Sequence, residues 1–134
     1  MLQLVYISTA RTPISAALCE DILAVSRRNN RVWDISGLLV AGRKRFLQAL
    51  EGPEAEVRAT YDRIAADPRH FACVILSDRH VDQRQFGDWA MAYTPSDEGS
   101  ADDLPSTVAA LVAAVDDPDL RAQFLGFATI QAAA

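Results

Sequence analysis

Two hydrophobic periods alternate along most of this chain, and their order restricts the fold more than any other feature. "LQLVYIS" (Leu2–Ser8) repeats every second residue, as a half-buried strand does, with Leu4, Tyr6 and Ser8 on one side. "ARTPISAALCEDILAVSRRNN" switches to a helical period. Thr12 is placed to cap it, Pro13 suits its first position, and Ile14, Leu18, Ile22 and Val25 make an apolar stripe. "DISGLLVAGRKRFLQALEG" returns to two strands, joined by a turn containing Gly42. "PEAEVRATYDRIAAD" is helical again, opened by Pro53, with Glu54 and Glu56 favourably placed in its first turn and Val57, Tyr61 and Ile64 as its buried stripe. Asp67-Pro68 stops it, "FACVILSD" reads as a fourth strand, and "WAMAYT" reads as a short fifth.

The order strand–helix–strand, strand–helix–strand is the split βαβ arrangement. The expected class is therefore α+β, a ferredoxin-like βαββαββ sheet with both helices on one face, as the handedness of the crossovers requires. In that topology the first and third strands are central neighbours, so Tyr6 and Gln48 fall on adjacent strands and each can face the helices. Beyond Thr94 the chain turns acidic in "PSDEGSADDLPS", then gives two short apolar helices split at Asp117-Pro118. The sheet's second face is still uncovered, and packing there is the simplest use for them, with a dimer or partner contact as the alternative.

Composition narrows the class of function. Of 134 residues half are hydrophobic and 23% are charged, as in ordinary soluble domains, and the net charge of −5 argues against direct nucleic-acid binding. No apolar run approaches the roughly 20 residues that span a bilayer. No basic-then-apolar leader precedes the first strand, so a cytoplasmic location is expected. Two cysteines make no disulfide framework, and Cys19 and Cys73 read as small buried hydrophobes. There is no phosphate-binding glycine loop, no metal-ligand spacing and no nucleophile elbow. His70 and His80 stand alone, and Asp62, Asp67, Asp78 and Asp82 form no marked catalytic pair. Catalysis is not the expected activity, and no metal is expected.

One residue resists a purely structural explanation. In "RFLQALEG", Gln48 lies between Phe46 and Leu50 on a face that otherwise reads as core. A buried primary amide carries two donors and an acceptor, and leaving one unpaired costs roughly 1–3 kcal/mol. Other polar residues gather at element ends and on the same presumed face: Tyr6, Ser8, Asn29, Asn30, Arg63, Asp67, Arg69 and His70, with Trp89 and Met91 beside them. Singly they have plain explanations. Asn30 could be a helix C-cap, Asp67 a turn former and Arg63 a solvated charge.

Five motifs in order make the chain resemble the BLUF domains, blue-light sensors that use flavin. They are "VYIS", "RNNRVWDISGLL", "RFLQALEG", "DRIAADPRH" and "DWAMAY", spanning Leu2 to Thr94. Where the family usually reads "ITGLL", this chain has Ile35-Ser36-Gly37-Leu38-Leu39. The resemblance implies a photosensor unit over residues 1–95, with an acidic linker and helical extension over 96–134 in the same compact unit. It implies non-covalent FAD between the two helices, pressed by Ile22 and Ile64, with Asn30 at the pyrimidine edge and Arg69 and His70 at the C2-carbonyl end. Asn29, Arg63 and Asp67 would support the pocket. Gln48 would bridge the Tyr6 hydroxyl and the flavin edge, rearranging after light-driven electron and proton transfer. Trp89 and Met91 would sense the change and pass it through the fifth strand and terminal helices to a signalling partner or a second copy. Alternatives are a small ferredoxin-like enzyme, such as an acyl phosphatase or a flavin-dependent oxidase, and a flavin-free ligand-binding or dimerisation module.

Overall fold

Alternation drives the strands, and their pairing puts the third beside the first. The computed structural model describes residues 1–87, 92–94 and 104–133. Along the chain run β1 (Leu2–Ala10), α1 (Ala16–Val32), β2 (Ser36–Ala41), β3 (Arg45–Gly52), α2 (Glu54–Ala65), β4 (His70–His80), β5 (Ala92–Thr94), α3 (Leu104–Val112) and α4 (Pro118–Ala133). The sheet order is β4-β1-β3-β2-β5. β1 pairs antiparallel with β3 and β4, β2 pairs antiparallel with β3, and β5 joins β2 in parallel. The expected α+β, ferredoxin-like arrangement is what forms.

Each face of the sheet has its own apolar layer. On one, Leu4, Tyr6, Leu39, Phe46 and Leu50 pack with Cys19 and Leu23 of α1 and Val57 of α2. On the other, Val5, Leu38, Val40, Leu47 and Ala49 pack with Val108 of α3 and with Leu120 and Phe124 of α4. The terminal helices thus cover the second face. The last turns of α4 reach the β2–β3 turn, where Gln131 lies so close to Gly42 that a Cβ there would collide with it.

Several local expectations are corrected. Ser15, not Thr12, caps α1, its Oγ accepting from the Leu18 N–H at 3.1 Å, and Pro13 lies ahead of the helix. The reason is tertiary: the Arg11 N–H is bonded to the Arg69 carbonyl and the Ile14 N–H to the Arg43 carbonyl, which hold residues 11–14 out of the helix. Val25 is 46% exposed, because α1 presses Cys19 and Leu23 into the sheet and turns Val25 away from it. Cys73 is half-buried, and Phe71, Val74, Ile75 and Leu76 of the same apolar run are exposed. That run forms a strand at the end of the sheet, which the helices do not fully cover. Asn30 is no C-cap but a buried residue within α1, where Trp33 takes the capping position.

Candidate functional site

The register of β1 against β3 sets Tyr6 directly opposite Gln48. Both side chains project to the α1/α2 face and both are buried. The Tyr6 hydroxyl donates to Gln48 Oε1. Burial, above all, pushes the Tyr6 phenol well above the ordinary tyrosine value, and Cys73, Tyr61 and Asp67 push the same way. The phenol therefore keeps its proton and offers it to the amide oxygen. The ring of Tyr61 stands edge-on to that of Tyr6, 5.3 Å between centroids.

In front of Gln48 the two helices part over a cleft that is open to the surface. Leu39 and Phe46 form its apolar floor with Gln48 among them, and Leu39 is the cross-strand partner of Gln48. Ile22 and Val25 of α1 line one side and Ile64 of α2 lines the other. Asn29, Asn30 and Arg63 supply polar groups from the helices. Arg63 is exposed, yet it donates to Thr60 Oγ1 at 3.1 Å and lies 3.9 Å over the Trp33 ring.

The turn after α2 contributes Asp67 and Arg69, and the first residue of β4 is His70. Arg69 Nε donates to both carboxylate oxygens of Asp67, at 3.0 Å each, its Nη2 donates to Oδ2 at 2.5 Å, and its backbone N–H donates to Oδ1 at 2.9 Å. Hydrogen bonding from the Arg69 side chain holds the Asp67 carboxyl below its ordinary value. His70 Nε2 lies 2.5 Å from the Ile64 carbonyl and Nδ1 lies 2.8 Å from Ser8 Oγ. A carbonyl can only accept, so Nε2 carries a proton, and Nδ1 shares a hydrogen bond with the Ser8 hydroxyl. Both ring nitrogens are thus taken up within the protein.

The fold brings nearly all the expected site residues to one place. Ile22, Asn29, Asn30, Gln48, Arg63 and Ile64 line the cleft, as do Asp67, Arg69 and His70. Tyr6 stands behind Gln48 and Ser8 behind His70, one layer back. Trp89 and Met91 lie outside the described residues. The sequence reading missed Val25, Ser26, Leu39, Phe46 and Thr60 as cleft residues. Ser26 was within reach, since it lies one helical turn after Ile22, and Leu39 follows from the hairpin register.

An apolar floor, aliphatic walls and a rim of amides and guanidinium groups suit a flat heteroaromatic ring whose edge carries hydrogen-bonding atoms. The family model "BLUF: Sensors of blue-light using FAD" matches residues 1–92. The chain belongs to the BLUF family. It is accordingly a flavin-based blue-light sensor domain. The blue light- and temperature-regulated antirepressor BluF of Escherichia coli is 34% identical over 84 residues, covering 63% of this chain and 21% of that protein. A photoactivated adenylate cyclase subunit beta of Euglena longa is 30% identical over 91 residues, covering 66% of this chain and 11% of its own. The chain thus spans about a fifth or less of the length of these relatives. Among solved structures, the dark state of the BLUF protein BlrB superposes with a TM-score of 0.74 at 25% identity, covering 99% of this chain and 96% of BlrB. Among the described residues, no helix is long and apolar enough to cross a membrane.

Proposed function

We propose that this BLUF domain holds FAD non-covalently in the cleft and that Tyr6 and Gln48 are its photoactive pair. The observation that carries the reading is the buried Tyr6–Gln48 hydrogen bond, which opens onto a cleft of flavin-compatible lining. Ile22 and Ile64 would hold the ring between the helices, and Asn30 would meet its polar edge, with Arg69 at the carbonyl end. Asn29, Arg63 and Asp67 would support the pocket. His70, with both ring nitrogens engaged, would act by fixing Ser8 and the end of α2.

When bound, the flavin supplies the chromophore and the electron sink that blue light switches on. Tyr6 holds its proton at Oη against Gln48 Oε1, so a tyrosine that loses an electron has an acceptor already in place for that proton. Gln48 would relay it and, once the electron and a proton have returned to Tyr6, would be left rearranged, rotated or tautomeric, with a donor turned where an acceptor had been. Exclusion of water by Leu39 and Phe46 on the cleft floor keeps the exchange between these two groups. The chain's role is sensing and not turnover. Its output would pass through β5, with Trp89 and Met91, and the terminal helices to a signalling partner or a second copy. The differential bonding biases two arrangements, and the shift is limited by that difference.

Purified protein should be yellow, and blue light should move its flavin bands to the red, reversibly in darkness. Gln48→Leu should keep the flavin and lose the shift. A Gln48→Leu protein with a normal photocycle would refute the assignment. The extracted cofactor, run against FAD, FMN and riboflavin standards, decides the flavin.

A further inference from the structure

The strands that carry Tyr6 and Gln48 also carry a second pair of polar side chains, three residues along each and therefore on the opposite face. These are Gln3 on β1 and Glu51 on β3. Gln3 is the cross-strand partner of Glu51, and Ser36 on β2 is its partner on the other side. All three are buried, Gln3 and Glu51 at 0% exposure. Gln3 Nε2 donates to Glu51 Oε2 at 3.4 Å and Ser36 Oγ donates to Oε1 at 2.9 Å. A polar rung thus crosses the three central strands beneath the terminal helices.

Two members of this rung, Glu51 and Gln3, lead to the same residue. Glu51 accepts the backbone N–H groups of Gln85 at 2.9 Å and Phe86 at 2.8 Å. Gln85 Oε1 in turn accepts from the N–H groups of Asp116 at 3.0 Å and Asp117 at 3.2 Å. By the other route, Arg79 Nη2 donates to Gln3 Oε1 at 3.0 Å and the Arg79 guanidinium pairs with the Asp117 carboxylate. Asp117 Oδ1 accepts from the N–H groups of Asp119 at 2.9 Å and Leu120 at 3.3 Å, which makes it the N-cap of α4. Phe86, fixed by Glu51, packs its ring against Phe124 of the same helix.

We propose that Glu51 is a positioning residue for signal output, coupling the β1/β3 pair to the cap of α4. A shift between β1 and β3 produced at the Tyr6–Gln48 rung must also act on the Gln3–Glu51 rung, because the same two strands hold both. The rung passes the shift along two hydrogen-bonded routes to Asp117. This route does not use β5, and it rests on the photoreceptor reading above.

The test is hydrogen exchange on the full chain in darkness and under blue light, with the absorption shift recorded on the same samples. Wild type should show the red shift together with a light-dependent change in exchange over the first turn of α4. Glu51→Gln replaces an acceptor oxygen by an N–H donor, and Gln85→Ala removes the half-exposed link to Asp116 and Asp117. Both should keep the full red shift. Their light-minus-dark exchange difference in α4 should fall about fivefold, the scale of one lost hydrogen bond. If Glu51→Gln does not fold, Gln85→Ala decides. A full exchange difference in the folded variants overturns the coupling, as does a wild type that shifts in colour with no change in α4. A variant that loses its red shift also overturns it, since Glu51 would then be serving the cleft. A wild type with no shift at all removes the photoreceptor reading, and the coupling with it.

Discussion

The two faces of the sheet are built to different rules. Against α3 and α4 the core is apolar: Val5, Leu38, Leu47, Val108 and Phe124 pack together, and the polar groups gather around Glu51. An apolar groove opens at the margin, between Ile7 and Leu76 of the sheet and Phe127 and Ile130 of α4. Against α1 and α2 the layer is interrupted. Tyr6, Ser8, Gln48, Asn30 and His70 are all buried there, and the helices stand apart over a cleft. One face contributes stability through packing, and the other gives up some of that packing to make room for a ligand and a proton-bearing pair. The difference separates what holds this domain together from what it responds with.

The comparison would break most visibly at Phe124. Removing its ring from a fully buried position should cost about 3–5 kcal/mol, a large share of a domain's stability. Ile64→Ala, in the partly open wall of the cleft, should cost less than half as much. Urea denaturation of the two variants checks the ratio, and equal losses would show that the faces bear load alike. Tyr6→Phe sharpens the contrast from the other side. It should abolish the light-induced red shift while changing stability by about 1–2 kcal/mol, the cost of one buried hydrogen bond. Absorption under blue light and a urea curve on the same preparation measure both.

Smaller effects follow from the ends of α1 and α2. Ser15→Ala should remove about 1 kcal/mol through the lost cap, whereas Thr12→Ala should change little, as their urea midpoints would show. The effect at Asp67 is the smallest. Its folded pKa is depressed by Arg69, so its contribution is present above the unfolded carboxylate value of about 3.9 and is lost as pH falls through the folded value. Asp67→Asn should flatten the acid limb of stability below about pH 4, by less than about 1 kcal/mol for so exposed a pair. Urea midpoints between neutral and acid pH would show it.

Much of this was legible in the residues. Periods of two and 3.6 gave the element order, and the order gave the topology. The topology then made Tyr6 and Gln48 neighbours before any distance was known. The cleft's rim was legible too, because polar residues on an apolar face need partners. What escaped was decided by contacts distant in sequence. Val25 belongs to the stripe by spacing, yet it lines the cleft, since the helix's rotation is set by Cys19 and Leu23 against the sheet. The cap of α1 moved to Ser15 because Arg43 and Arg69 hold the preceding residues. Glu51 sits near a strand end, where a carboxylate is ordinarily solvated, and the backbone groups that justify its burial come 34 and 35 residues later.

The exposed hydrocarbon of β4 carries a consequence for handling this protein. A terminal strand bearing Phe71, Val74, Ile75 and Leu76 is a template onto which another chain can add, and concentrated or partly unfolded preparations invite that accretion. The left-handed Ala72 (φ 54°) and the register breaks between Val5 and Tyr6 and between Ile7 and Thr9 bend the ladder out of plane. A straightened, flatter β4 would trade solubility for nothing the light response needs.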